Sequence, residues 1–333
     1  RQLMSRKISR SFINGRTGAG TGGQGLKVEW DSTNDGELHW KDVSESSLEY
    51  VAPFQGSNYG FTSGGNDNET TIDKFSFASS GNATDWSDLN RGRSQAAGSS
   101  SATDGFTQGG WSLYLNEIDK FSFTSTSTAI DWGDLTQNRY SLAGQSSTTD
   151  GYASGGDYSG LPGSVNIDKF SFSSSGNASD WGDLSQARVG TTGQSSTTDG
   201  FTSGGCCSSV NTIDKFSFTS SSGASDHGDL SVARGYGGGQ SSSDYGYHSG
   251  GNTSSDTIDR FAFSSNTTAT DWGNLTVSRG WMAGQSSTTH GFTSGGNSAS
   301  LDEIDRFAFS SNAGATDWGN LSVARNAGAG SQY

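Results

Sequence analysis

The chain has 333 residues, of which 29% are hydrophobic and 50 are glycine, a profile that by composition alone fits disorder better than two or three ordinary apolar cores. A formal charge of −14 excludes a nucleic-acid backbone as partner, because phosphate binding needs clustered Lys and Arg. No apolar run approaches the roughly 18 residues needed to span a bilayer, and the two cysteines are adjacent, Cys206 and Cys207, so they cannot staple distant elements.

Periodicity overrides this composition, since Phe and Trp recur at nearly fixed spacing with Gly pairs between them. In chain order, residues 1–9 read as a basic leader. Residues 1–16 hold Arg1, Arg6, Lys7, Arg10 and Arg16 with no acidic residue, a segment that either stays solvated or docks on an acidic neighbour. The chain opens on Arg1 rather than Met, as expected of a trimmed N-terminus, and no signal-peptide core precedes the first repeat. After it, Arg10 to Gly15 reads as a second strand, Leu26 to Trp30 as a third and His39 to Val43 as a fourth strand of a divergent unit.

Six copies of an Ile-Asp-Lys/Arg-Phe-Ser/Ala-Phe hexad follow, beginning at Ile72, Ile118, Ile167, Ile213, Ile258 and Ile304, in steps of 46, 49, 46, 45 and 46 residues. Each alternates as a strand does, with Phe75 and Phe77 on one face and Ile72, Lys74 and Ser76 on the other. A Ser/Gly/Asn turn leads to Asp-Trp-x-Asp/Asn-Leu, whose Trp86, Trp132, Trp181, Trp272 and Trp318 share one offset; His227 stands there once. An Arg comes next (Arg93, Arg139, Arg188, Arg234, Arg279, Arg325), then a small-residue segment such as Ala143-Gly144-Gln145-Ser146, then a turn and a strand running into Gly-Gly. Each unit thus predicts four short strands, with small residues crowded where strands converge and Phe and Trp filling the widening space outside. A repeat of this length implies an array or a closed ring.

The order Arg, small strand, Gly-Gly, aromatic strand, Trp resembles the kelch repeat over essentially residues 10–333, departing from it in Phe for Tyr and in the high Ser and Thr content. The resemblance implies an all-β, closed β-propeller of four-stranded blades. With the divergent unit counted, seven blades are expected, the first completed by N-terminal strands and by an inner strand from Arg325 to Tyr333. The WD40 repeat is a poorer match, since no Gly-His pair opens the unit. The Ser/Gly-rich texture, as in Gly-Gln-Ser-Ser-Thr-Thr-Asp-Gly, also resembles propeller proteins predicted in marine phages and large algal viruses, which implies a virion-surface or extracellular place.

Chemistry is sparse in the sequence. The four histidines, His39, His227, His248 and His290, lie in different repeats without metal-ligand spacing, and no Gly-x-Ser-x-Gly elbow or Walker loop is present, so no enzyme, cofactor or zinc is expected. The copper chemistry of some kelch-like oxidases needs several His ligands beside a Cys-modified Tyr, which Cys206-Cys207 does not show. The pairs Asp85/Asp88, Asp131/Asp134, Asp180/Asp183 and Asp226/Asp229 offer oxygens to calcium, but a pattern present in most blades is expected to serve turns and to pair with the following Arg. Sequons at Asn68, Asn82, Asn177, Asn252, Asn266, Asn274 and Asn320 matter only in a secretory pathway.

The segments after Gly-Gly differ in length and type from repeat to repeat, and variable loops on a rigid scaffold are where specificity is placed. They are expected on one face with the turns after Arg, gathering Trp111, Tyr114, Tyr140, Tyr158, Tyr236 and Trp281. Aromatic plates beside amides and acids suit a glycan or a protein receptor. Two functions follow from this reading: receptor display on a virion or other surface, or decoration of a capsid or fibre anchored through residues 1–16.

Overall fold

A computed structural model of the chain describes residues 55–333, apart from 113–114, 158–162, 207–209, 253–254, 298–300 and the Asp67 side chain. The strands expected between residues 10 and 50 lie outside the described residues. The rest forms six four-stranded antiparallel sheets.

Blade 1 holds β1 (Tyr59–Ser63), β2 (Thr71–Ser76) and β3 (Thr84–Asp88). Blade 2 holds β4 (Ala97–Ser100), β5 (Asp104–Gly110), β6 (Leu115–Ser122) and β7 (Ile130–Asp134). Blade 3 runs from β8 (Ala143–Ser146) through β9 (Asp150–Ser154) and β10 (Ser164–Ser171) to β11 (Ser179–Arg188). Blade 4 comprises β12 (Thr192–Ser195), β13 (Asp199–Gly205), β14 (Val210–Ser217) and β15 (Ser225–Asp229). Blade 5 comprises β16 (Gly238–Ser241), β17 (Tyr245–Gly251), β18 (Ser255–Ala262) and β19 (Thr270–Asn274). In blade 6, β20 (Ala283–Ser286), β21 (His290–Ser294), β22 (Glu303–Ala308) and β23 (Thr316–Asn320) repeat the order. The last strand, β24 (Ala329–Gln332), pairs with β1, Gly60 opposite Gln332 and Ser63 opposite Ala329, so both ends of the described chain complete blade 1.

The fold is therefore a β-propeller, but of six blades rather than seven. The six inner strands already close on themselves. A Cβ built on Gly98, Gly144, Gly193, Gly239, Gly284 or Gly330 would lie 2.1–2.3 Å from the carbonyl oxygen of the glycine before it in the ring, Gly98 meeting Gly330. Only glycine permits that approach, and a seventh inner strand would prise the ring apart. The miscount has a definite source: six Arg residues each lead into one small-residue strand, and the strand after Arg325 serves the hexad at Ile72, not a unit upstream of it.

Between blades the packing is a repeated aromatic wedge. Phe61 stacks on Phe123 of the next blade with centroids 4.8 Å apart and meets Trp86 edge-on at 6.2 Å. Phe106, Tyr152, Phe201 and Tyr247 repeat this contact, and Phe292 closes it by stacking on Phe77 of blade 1 at 4.6 Å. Each Trp also donates its indole N–H to a carbonyl of the next blade, from Trp86 to Ser122 at 3.0 Å round to Trp318 to Ser76 at 2.7 Å. His227 replaces the indole with a ring-nitrogen contact of 2.9 Å to the Ala262 carbonyl. On the outer side Lys74, Lys120, Lys169, Arg260 and Arg306 cover the Trp faces at 3.7–4.3 Å, so these large rings stay shielded despite their outer position.

The six Arg are structural, but their partners differ from expectation. Each pairs with the hexad Asp of the blade it enters, not with the acids flanking Trp: Arg93 with Asp119 (2.9 Å), Arg139 with Asp168 (2.7 Å), Arg188 with Asp214 (2.6 Å), Arg234 with Asp259 (3.0 Å), Arg279 with Asp305 (3.1 Å), and Arg325 with Asp73. All twelve side chains are essentially unexposed. Burial pushes Arg93 below and Asp119 above their usual values, and the opposite charge only partly offsets it. The guanidinium of Arg139 further donates to the carbonyls of Gly155 (2.9 Å) and Asn166 (2.7 Å), and Asp168 accepts the backbone N–H of Thr136 at 2.9 Å. One Arg–Asp pair thus ties the incoming crossover, the Gly-Gly turn and the aromatic strand together. Gly-Gly follows from this: a Cβ on Gly109 (φ +59°) would lie 2.4 Å from the Arg139 carbonyl, and one on Gly110 (φ +116°) 2.9 Å from the carbonyl of Ser94, the residue after Arg93. The carboxylates before Trp serve turns as expected, Asp131 accepting the Gly133 N–H and Asp180 that of Gly182, each at 3.0 Å.

Candidate binding face and axial mouth

The turns after Arg and the segments after Gly-Gly share one face. Isolated bridges join Ser94 to Trp111, Tyr140 to Asp157 and Val189 to Cys206, each linking the residue after an Arg to the residue after a Gly-Gly. Of the six predicted aromatic residues, Trp111, Tyr140, Tyr236 and Trp281 stand on this face; Tyr114 and Tyr158 lie outside the described residues. They form two clusters. Trp111, 39% exposed, meets Tyr140 edge-on at 4.9 Å, and the Tyr140 hydroxyl donates to Asp157. Tyr236 and Trp281 stack at 3.6 Å with planes 14° apart, and the Cys206 thiol lies 3.0 Å from the Tyr236 hydroxyl. No ring contact joins the two clusters among the described residues.

Sequence reasoning missed what organises the second cluster. Gln95, Ser141, Gly190, Tyr236, Trp281 and Ala327 occupy the same place in successive blades, and their backbones form a closed cycle of hydrogen bonds. Gln95 N–H donates to Ala327, Ser141 to Gln95, Gly190 to Ser141, Tyr236 to Gly190, Trp281 to Tyr236 and Ala327 to Trp281, all at 2.6–2.8 Å. All six have positive φ, from +54° at Ser141 to +68° at Gly190. Five of them are not glycine, and Tyr and Trp are costly in this region, at about 1–3 kcal/mol each. The only sequence signal was that these aromatics sit two residues after an Arg.

The cycle rims the mouth of the central channel. Gln95, Ser141, Gly190, Tyr236, Trp281 and Ala327 bound a recess of about 70 Å³, which passes at Ala96, Thr191, Gly237 and Gly328 into the channel between the inner strands. Around the rim, Gly190 lies beneath Tyr236, a built Cβ falling 2.8 Å from the phenol ring. Trp281 covers the other face of Tyr236, and the next position, Ala327, carries only a methyl group. Across the mouth Ser141 donates its hydroxyl to the Gln95 side-chain oxygen Oε1 at 2.5 Å, and the side-chain amide N–H groups of Gln95 have no acceptor among the described residues. One wall is aromatic and the other offers amide donors. The recess is far smaller than a drug-sized pocket, so it fits one ring or one side chain rather than an enclosed ligand.

Among the described residues no three His, Cys, Asp or Glu side chains gather as a metal site, and no helix is long and apolar enough to cross a membrane. No protein-family model matches the chain, and no curated protein matches it either. The kelch and viral kinships expected from residue order and texture find no support there. What stands is the fold.

Proposed function

We propose that this propeller is a non-enzymatic binding module of the surface-displayed kind, with its recognition centre at the axial mouth, where Trp281, Tyr236 and Gln95 receive a sugar ring or a protruding side chain of a glycan or protein receptor. One observation carries the reading. Blade 4 shows that glycine satisfies the rim position, yet the protein holds Tyr236 and Trp281 there at positive φ, at a backbone cost that packing elsewhere must offset. A strained, half-exposed aromatic pair beside available amide donors is the makeup of a carbohydrate or hot-spot contact, which gains area at low side-chain entropy. Trp111 and Tyr140 extend the same face outward as a second contact.

The test uses Trp281→Gly, which keeps the positive-φ backbone as blade 4 does and removes only the ring. Wild-type protein is screened on a glycan array and against cell-surface extracts, with Trp281→Gly and Trp111→Ala in parallel. Selective binding that Trp281→Gly abolishes while the fold persists is the expected result. Binding that survives Trp281→Gly and fails in Trp111→Ala would move the site to the outer cluster; a folded wild type that binds nothing would overturn the reading.

A further inference from the structure

The six blades fall into two halves of different surface character. The residue that opens the second strand of each blade, at the end remote from the Gly-Gly turn, is Asp104, Asp150 or Asp199 in blades 2, 3 and 4. In blades 5, 6 and 1 the same place holds Tyr245, His290 and Tyr59. The cation of the hexad answers this difference. Lys120, Lys169 and Lys215 pair with those aspartates at 3.2–3.4 Å. Lys74, Arg260 and Arg306 form no ion pair among the described residues and rest on rings alone. Arg260 lies 4.4 Å from the Tyr245 centroid and 3.7 Å from that of Trp272, Lys74 4.0 Å from Tyr59 and 3.7 Å from Trp86, and Arg306 3.8 Å from Trp318. The Arg306 charge also reaches His290, whose pKa is lowered first by burial and second by that charge.

The two changes go together. Where the aspartate is lost, two of the three lysines become arginine, and the place of the acid passes to an aromatic or imidazole ring. Asp and Lys are depleted at protein interfaces, whereas Arg, Tyr and Trp are enriched there and supply most hot spots. A guanidinium held between Tyr245 and Trp272 keeps its charge, since rings do not cancel it as an aspartate does, and its planar fork suits bidentate pairing with a carboxylate. The acids beside these residues in sequence are engaged elsewhere. Asp73, Asp259 and Asp305 hold the buried arginines, Asp244 accepts the Ser243 hydroxyl at 3.0 Å, and Asp271 and Asp317 accept the N–H of Gly273 and Gly319 at 2.9 and 3.0 Å. Three single cations in consecutive blades make one half-ring, but no continuous basic track of the kind a phosphate backbone needs.

We propose that the half-ring of blades 5, 6 and 1 is a docking surface for an acidic segment of a protein partner, whose carboxylates meet Arg260, Arg306 and Lys74 beside the flanking rings. The formal charge of −14 does not oppose such contacts at short range, because it is screened beyond about 8–10 Å at moderate salt. The surface lies toward the strand ends remote from the Gly-Gly face, so it is separate from the mouth and does not rest on the reading given to the mouth.

Fluorescence anisotropy of a labelled oligo-glutamate peptide, titrated with the full chain at about 0.15 M salt, tests it. The comparison is Tyr59→Asp/Tyr245→Asp/His290→Asp, which gives these blades the residue that blades 2, 3 and 4 already carry. The wild type should bind, and the triple variant should bind about tenfold more weakly or not at all. No binding by the wild type overturns the proposal. So does binding unchanged in the triple variant, which would assign the peptide to the basic residues 1–16. Tighter binding of polygalacturonate than of the peptide would also overturn it, in favour of an acidic polysaccharide. Should the triple variant fail to fold, Arg260→Gln/Arg306→Gln keeps every ring in place and must show the same loss.

Discussion

His248 stands where the other blades carry Thr62, Thr107, Ala153, Thr202 and Thr293, and it is fully buried. Three of the four threonines at this level, Thr62, Thr107 and Thr202, join a serine of the preceding blade, as Thr107 does Ser63 at 2.7 Å, and His248 keeps that link through Nδ1 to Ser203 Oγ at 3.0 Å. Its Nε2 has no partner among the described residues. Burial, and secondarily the nearby Arg234 guanidinium, hold its pKa well below the usual value near 6.5. The folded protein therefore keeps His248 neutral while the unfolded chain takes up a proton below about pH 6.5, so stability falls as the solution is acidified through that range. A shift of one pH unit below it is worth about 1.4 kcal/mol, hence about 2 kcal/mol between pH 6.5 and pH 5. His248→Thr restores the repeat's own residue and removes the titration. At pH 7.5 the variant loses stability through the smaller side chain, by about 1–3 kcal/mol; at pH 5 that deficit should shrink by about 2 kcal/mol or reverse. Urea unfolding of both proteins across pH 5–7.5 measures the difference, from which His39, His227 and His290 cancel. A gap between variant and wild type that stays constant over that range would refute the reasoning.

Three further outcomes are expected. Asp259→Ala leaves the Arg234 guanidinium buried without its carboxylate and should cost about 3–5 kcal/mol in the urea-derived unfolding free energy, whereas an exposed pair would cost under about 1 kcal/mol. His227→Trp supplies the indole that the other blades use, adds a plate for Lys215, and should raise stability by about 1 kcal/mol, read from the denaturation midpoint; a fall would mean that the Ala262 contact is specific to imidazole. Ending the chain at Asn326 removes β24 and bares the edge of β1, so size-exclusion chromatography should show larger, aggregating species than the full chain gives.

Much of the blade was legible because every blade must bury the same wedge. Phe75 and Phe77, the Trp offset and the Gly-Gly pair announced strand order and interblade packing before any coordinates. The Arg–Asp pairing was hidden because period-2 alternation does not say which face a charge is buried on: Asp73 shares the parity of Phe75 and Phe77, and an acid on the aromatic side of all six hexads was the signal. Blade number was obscured because closure is a property of the whole ring, set by contacts such as Gly98 against Gly330, which are remote in sequence. At the mouth the aromatic residues were visible, but the cycle that orients them depends on backbone angles that Tyr236 and Trp281 would not ordinarily adopt.

The indole-to-carbonyl bonds around the ring look alike, but they are not equal in chain topology. Trp86 reaches a carbonyl 36 residues away, whereas Trp318 reaches Ser76 across 242 residues. By loop-closure entropy the second contact costs about 1.7 kcal/mol more to form, with no richer set of interactions to offset it. The junction between blades 6 and 1 is thus a seam, the last to knit during folding and the first to part when the ring breathes. On the rim the same closure is the bond from the Gln95 N–H to Ala327, 232 residues apart, so a ligand that bridged Trp281 and Gln95 would span it, and occupancy of the rim and the lifetime of the closed ring would rise together.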